Sequence, residues 1–260
     1  MKSVLLFCCV LATSISPAGA QAGPGARLPL RSSTQVIVVT TPGWSAVDGR
    51  LQLYQRSAPG AAWSAVGDPI AVVVGRNGMG WGAGVMQISS PRSADDPVKR
   101  EGDGKAPAGI FRLGTAFGYA PQKPEEWKMP YLALTPGIDC VDDSHSRFYN
   151  RVIDRATVAV DWKSAEHMRS VGEAYRWGVV IDHNAGTPRP LGGSCVFMHI
   201  WAGPGLGTAG CTAMPEPRIK FILGWLDPAA DPLLVQLPVK QYRQLEKTLR
   251  LPPPPEAPHP

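Results

Sequence analysis

"FMHIWAGPGLGTAGCTAM", residues 197–214, joins three unlike pieces: an apolar run containing His199, a loop with Gly203, Pro204, Gly205 and Gly207, and Cys211 between Gly210 and Thr212. A short apolar run closed by glycine and proline reads as a buried strand, since a helix needs ten residues or more. The pattern recurs along the chain. "TQVIVVTT" (34–41), "RLQLYQR" (50–56), "IAVVVG" (70–75) and "GIFRLGTAF" (109–117) share it. So do "YLALTPG" (131–137), "TVAVDW" (157–162), "WGVVIDHN" (177–184), "CVFMHIW" (195–201) and "PLLVQLP" (232–238). Gly 28 and Pro 27, spread through 260 residues without a repeat, fit many short strands joined by tight turns.

Helical patterns are few. "SAEHMRSVGEAY" (164–175) has a Ser start and an early Glu, and predicts a short helix. In "EPRIKFILGWLD" (216–227), Ile219, Ile222, Leu223 and Leu226 fall on one helical face. "KQYRQLEKTLRL" (240–251) predicts a third helix at the domain edge. The expected fold class is therefore mainly β, a sandwich or partly closed barrel with a few covering helices.

The ends read differently. Lys2, the run "VLLFCCVLA" and Ala18-Gly19-Ala20 form a signal-peptide pattern over residues 1–20, which predicts export to the periplasm. Residues 21–34 read as a linker, 35–238 as one domain, and 239–260 as a helix followed by a disordered proline-rich tail. No later run is long enough to span a bilayer. The net charge is +5, or +4 once Lys2 leaves with the leader, and no Lys/Arg cluster marks a nucleic-acid or membrane partner. That surplus suits either a diffuse attraction to an anionic cell wall or plain solubility.

Without the leader, Cys140, Cys195 and Cys211 remain, an odd number for an oxidising compartment. Cys211 is the natural free thiol, because small neighbours leave its sulfur uncrowded and a predicted helix N-terminus follows, which would lower its pKa. Cys140 and Cys195 would then pair; two separate buried thiols are the alternative. A thiol nucleophile needs a base, and His199 lies twelve positions upstream at a strand end. The opposing reading makes His199 a satisfied core histidine and Cys211 a small hydrophobe. His183, Cys195, His199 and Cys211 are also possible zinc ligands, but no close pair has the usual metal spacing.

The blocks "KREGDGKAPAGIFRLG" (99–114), "CVDDSHSRFYN" (140–150), "DWKSAEHM" (161–168), "VVIDHN" (179–184), "GGSCVFMHIW" (192–201) and "GTAGCTAM" (207–214) follow one order. In that order the chain resembles the L,D-transpeptidase (YkuD) catalytic domain over about residues 35–238, and most of all its branch with a T-x-G-C-T stretch. The resemblance implies an enzyme acting on the stem peptides of peptidoglycan, without cofactor or metal, as a monomer. It makes Cys211 the catalytic cysteine and His199 the general base. Gly210 with Cys211 or Thr212 would supply oxyanion N–H groups, and Thr208 takes the family's Ser/Thr position. Two departures stand out: Ala209 replaces a histidine, and the spacing from His199 to Cys211 is short. They bear on loop shape and specificity, and they make His183 a candidate for a supporting role. Arg147, Arg151 and Arg100 are candidates for meeting substrate carboxylates, and Asn150, Tyr149 and Trp201 for bordering the cleft; each is otherwise a solvated cation or a packed aromatic. Three functions follow: a cross-linking or trimming cysteine enzyme, a non-catalytic wall-binding domain, and a zinc hydrolase.

Overall fold

The structure, a computed structural model, describes residues 29–86, 88 and 92–255. The expected leader and most of the expected linker lie outside the described residues. Strand β1 is Gln35–Thr41, β2 Asp48–Gln55, β3 Ser64–Val73, β4 Met79–Trp81, β5 Ala106–Gly118, β6 Tyr131–Ala133 and β7 Ile138–Val141. Then come β8 (Val152–Asp154), β9 (Ala165–His167), β10 (Trp177–Ile181), β11 (Phe197–Ile200) and β12 (Thr212–Met214). Helix α1 (Glu216–Trp225), β13 (Leu233–Pro238) and α2 (Val239–Leu249) complete the chain.

The main sheet runs β10-β11-β12-β3-β2-β1-β13-β5, and β5 pairs back onto β10, so eight strands close into a barrel. Closure goes beyond the partly closed form expected, and the length of β5 explains it. Its Gly109–Arg112 half pairs with β13, and its Leu113–Gly118 half pairs with β10. Closing the sheet leaves no open edge among these strands. Every residue of β1 is buried, because one face lines the barrel and the other lies under helices.

Helices α1 and α2 form where the apolar periodicity places them. Ile219, Ile222, Leu223 and Leu226 are fully buried, and α1 packs on β10 and β11. Pro215 precedes α1 as its N-cap and Pro217 sits in the first turn, where backbone N–H groups lack helical partners. Helix α2 buries Tyr242, Leu245 and Leu249 against β1 and β13.

Other expectations fail for local reasons. Residues 164–175 form no α-helix: β9 pairs with β7, and two single 3-10 turns follow, Met168–Ser170 and Glu173–Tyr175. Between them Gly172 takes φ +84°, which breaks any helical run. Among the described residues "TVAVDW" finds no partner strand, and Val160 stays half exposed. The tail is docked as far as Pro255: the Tyr242 hydroxyl donates to the Pro252 carbonyl at 2.7 Å, and the Tyr54 hydroxyl to that of Pro253 at 2.8 Å. Within the expected linker, Leu30 packs into the core and Ser33 is fully buried.

A second, smaller sheet, β8-β7-β9, lies across one side of the barrel. Under it sits a separate apolar cluster of Phe117, Leu134, Ile138, Met168, Tyr175, Phe197, Cys211 and the Cys140–Cys195 disulfide. The disulfide joins β7 to the segment entering β11 across 55 residues of chain. By loop-closure entropy a crosslink of that span is worth about 4 kcal/mol. Replacing both cysteines with alanine is therefore expected to lower stability by about that amount, read as a shift in the urea unfolding midpoint at unchanged slope.

Candidate active site around Cys211

Strands β11 and β12 run parallel, with Met198 opposite Thr212 and His199 opposite Ala213. That register sets Cys211 level with Phe197, and side chains two apart on a strand share a face. Phe197, His199 and Cys211 thus look toward the small sheet, with His199 about 7 Å further along the strand direction than Phe197. The intervening loop is held to the barrel at Thr208, whose N–H donates to the Val74 carbonyl at 2.9 Å and whose carbonyl accepts from Arg76 at 2.8 Å. Gly207 allows this approach, since a Cβ there would lie 2.5 Å from the Arg76 Cα.

Thr208 also shapes the loop at the cysteine. Its hydroxyl donates to the Cys211 carbonyl at 2.7 Å and accepts the Gly210 N–H at 3.1 Å. The Gly210 N–H is therefore occupied, which corrects its expected role as an oxyanion donor. The Thr212 side chain points into the core, where its hydroxyl bonds Gln236 Oε1 at 2.6 Å. Only its backbone N–H remains a candidate at the site. The helix-dipole argument fails for α1, because β12 stands between Cys211 and that helix.

The thiol is 5% exposed. Its Sγ accepts the Phe197 N–H at 3.3 Å and donates toward the Cys195 carbonyl at 3.6 Å. Burial above all, then the nearby Glu166 charge, pushes the thiol up to about 12 against the Phe197 N–H, Lys99 and Tyr175. At neutral pH it rests protonated.

His199 is also buried, and burial lowers it to about 4, so the ring is neutral. Its Nδ1 lies 2.8 Å from the Ile200 carbonyl, an atom that can only accept, so Nδ1 carries the proton and Nε2 the lone pair. Among the described residues Nε2 has no hydrogen-bond partner. The expected direct His199–Cys211 hydrogen bond is not formed. Tyr175 packs beside them in the apolar cluster that holds Cys211, its ring edge-on to His199 at 5.3 Å and to Phe197 at 5.5 Å. Its hydroxyl donates to Glu166 Oε2 at 2.7 Å. Burial, more than the neighbouring Asp142 and Glu101 charges, raises Glu166 to about 7.

Other candidates sit elsewhere. His183 accepts the Ala83 N–H at Nδ1 (3.2 Å), so its Nε2–H donates to the Gly192 carbonyl (3.0 Å), and both nitrogens bond groups other than the thiol. Asn150 takes φ +61° and ties three backbone groups, donating to the His183 and Asn184 carbonyls and accepting the Cys195 N–H. Arg147 is exposed, against Asp161 and the Phe148 ring. Arg151 and Arg100 are exposed as well, and Trp201 is half-buried. Tyr149 is packed, with its hydroxyl on Glu101. A cleft of about 530 Å³ is lined by Phe117, Tyr131, Asn150, Phe197 and the disulfide, but not by Cys211. The four possible zinc ligands of the weaker alternative are not brought together, since Cys195 is in the disulfide and His183 bonds Ala83 and Gly192. Among the described residues no three His, Cys, Asp or Glu side chains converge to hold a metal ion.

His183 gives a test with a defined sign. Burial lowers it from 6.5 to about 4, so its stabilising contribution is complete above pH 6.5 and is lost as pH falls through about 4. His183→Ala should be less stable than the wild type by about 2–4 kcal/mol at pH 7, since two backbone groups lose partners. Thermal unfolding followed by circular dichroism should show that gap narrowing toward pH 4. No protein-family model, curated protein or solved structure matches the chain.

Proposed function

We propose that the chain is a peptidoglycan L,D-transpeptidase that joins stem peptides through a thioester on Cys211, giving 3-3 or 1-3 links. One observation carries the reading: the free thiol, the neutral imidazole of His199 and the Tyr175 ring are packed together, buried, on the face of β11 and its neighbour. Cys211 lies in the T-x-G-C-T stretch that, with the ordered sequence blocks, resembles this family. The reading includes export to the periplasm, action as a monomer and no cofactor.

In the reaction the Cys211 sulfur attacks the donor carbonyl as its proton leaves for a base, with His199 Nε2 as the free lone pair nearby. The tetrahedral oxygen needs N–H donors, and with Gly210 occupied these fall to the Cys211 and Thr212 backbone. Collapse expels the amine, which regains a proton. An acceptor side-chain amine then resolves the thioester into a cross-link, whereas water gives carboxypeptidase or endopeptidase activity. Burial of the thiol, and its displacement to about 12, favours a second reading, a non-catalytic wall-binding domain that keeps the fold.

Mass spectrometry of products from disaccharide-tetrapeptide and disaccharide-pentapeptide separates these. The wild type should form cross-linked dimers, and Cys211→Ala should lose the activity by more than about 10⁴-fold. Shortened monomers instead of dimers would mean a hydrolase. No change with either substrate would favour the wall-binding reading.

A further inference from the structure

Two cavities meet at a carboxylate that the mechanism above does not use. The cleft of about 530 Å³ is walled by Phe197 and Cys195, the residues whose backbone N–H and carbonyl bond the Cys211 sulfur. Asp182 lines the same cleft, and it also lines a second cavity of about 390 Å³ with Arg112, Thr187 and Arg189. Ala185 borders both spaces too, so they adjoin. Gly114 leaves the carboxylate its room: a Cβ there would lie 2.9 Å from Asp182 Oδ1 and 3.4 Å from the Val180 Cβ. Val180 pairs with Phe197, which is level with Cys211, so Asp182 stands on the thiol's face of the sheet, two strands away. Strand spacing and rise put the two residues about 12 Å apart.

Among the described residues the side chains of Asp182 and Arg189 make no hydrogen bond or salt bridge, whereas Arg112 turns to Asp231 at 3.4 Å. Asp182 is half-buried and Arg189 exposed. A carboxylate partly withdrawn from water, lining one cavity with an uncommitted guanidinium, is complementary to a ligand that carries an ammonium and a carboxylate on one carbon. We propose that this cavity binds the zwitterionic amino-acid head at the free end of a diaminopimelate side chain, its ammonium on Asp182 and its carboxylate on Arg189. The rest of the stem peptide lies along the cleft, whose walls include Phe117, Tyr131, Leu132 and Val152. The site deepens the stem-peptide reading of Cys211 and rests on it. Lysine at the same stem position would offer Asp182 an ammonium but leave Arg189 without a carboxylate. At about 12 Å from the thiol, the held amine anchors the peptide and is not the amine that resolves the thioester.

The test is calorimetric titration of the full chain, carrying Cys211→Ala to prevent turnover, with two disaccharide-tripeptides that differ only in diaminopimelate or lysine at the third position. The diaminopimelate form should bind about 10-fold more tightly. Asp182→Asn, added to this parent, should weaken both ligands about 10-fold and keep their ratio. Arg189→Gln should weaken the diaminopimelate form alone and abolish the preference. Its side chain is exposed and unbonded, so it also serves if the asparagine variant fails to fold. Equal affinity for the two tripeptides, no binding of either, an Arg189→Gln variant that keeps the preference, or an Asp182→Asn variant that binds like its parent would overturn the site. The acyl-transfer reading is decided apart from this, by whether the wild type cross-links the disaccharide-tetrapeptide through Cys211. Cross-linking by a chain whose parent shows no preference would overturn the site alone.

Discussion

The double pairing of β5 is the constraint on which the rest depends. One strand of thirteen residues serves β13 with its first half and β10 with its second. Without the second pairing, β10, β11 and β12 would hang from β3 through a single register pair, Ala213 with Val73. The face that carries Phe197, His199 and Cys211 belongs to those three strands. Closure therefore fixes the platform, and the small β8-β7-β9 sheet can be laid on it.

That small sheet could not stand alone. Its strands are three or four residues long, below what a free sheet needs for stability. It is held by the disulfide, by Asn150 bridging to three backbone groups near β10 and β11, and by Phe117 and Tyr175 beneath it. The disulfide, Phe117 and Tyr175 share the apolar cluster of the thiol. The same contacts that stabilise the cover thus set what surrounds Cys211.

What was legible in the sequence divides along physical lines. The long apolar runs of β1, β5, β10, β11 and β13 and the one-sided faces of α1 and α2 are local signals, and they were readable. The strands β4, β7, β8, β9 and β12 were not, because three or four residues carry too little periodicity and are defined by partners far along the chain. The valines of 157–162 mislead for the opposite reason: the composition suits a strand, but no neighbour is present to pair with it. At the site, cysteine parity left one thiol over and the small neighbours of Cys211 marked it as that one, which made the Cys140–Cys195 pair an expectation beside the alternative of two separate thiols. The strand reading also put His199 near the thiol. Tyr175 and Glu166 were hidden by the failed helix over 164–175, where their spacing of nine residues carries no meaning. In the observed β9 and 3-10 turn they converge on one hydroxyl contact. Lys99 has no sequence signal that ties it to Cys211.

The electrostatics of the pocket narrow the chemistry. Burial drives each titratable group there toward its neutral form: the thiol up to about 12, the imidazole down to about 4, the carboxyl up to about 7. A preformed thiolate–imidazolium pair would need two charges in a place that disfavours both. Lys99 is too committed to Asp103, at 2.6 Å, to offset that. A nucleophile in such a pocket must lose its proton in the same event that makes its bond, so that charge never accumulates on sulfur. This demands an acceptor within reach of Sγ as the bond forms, where at rest the sulfur is held by the Phe197 N–H and the Cys195 carbonyl.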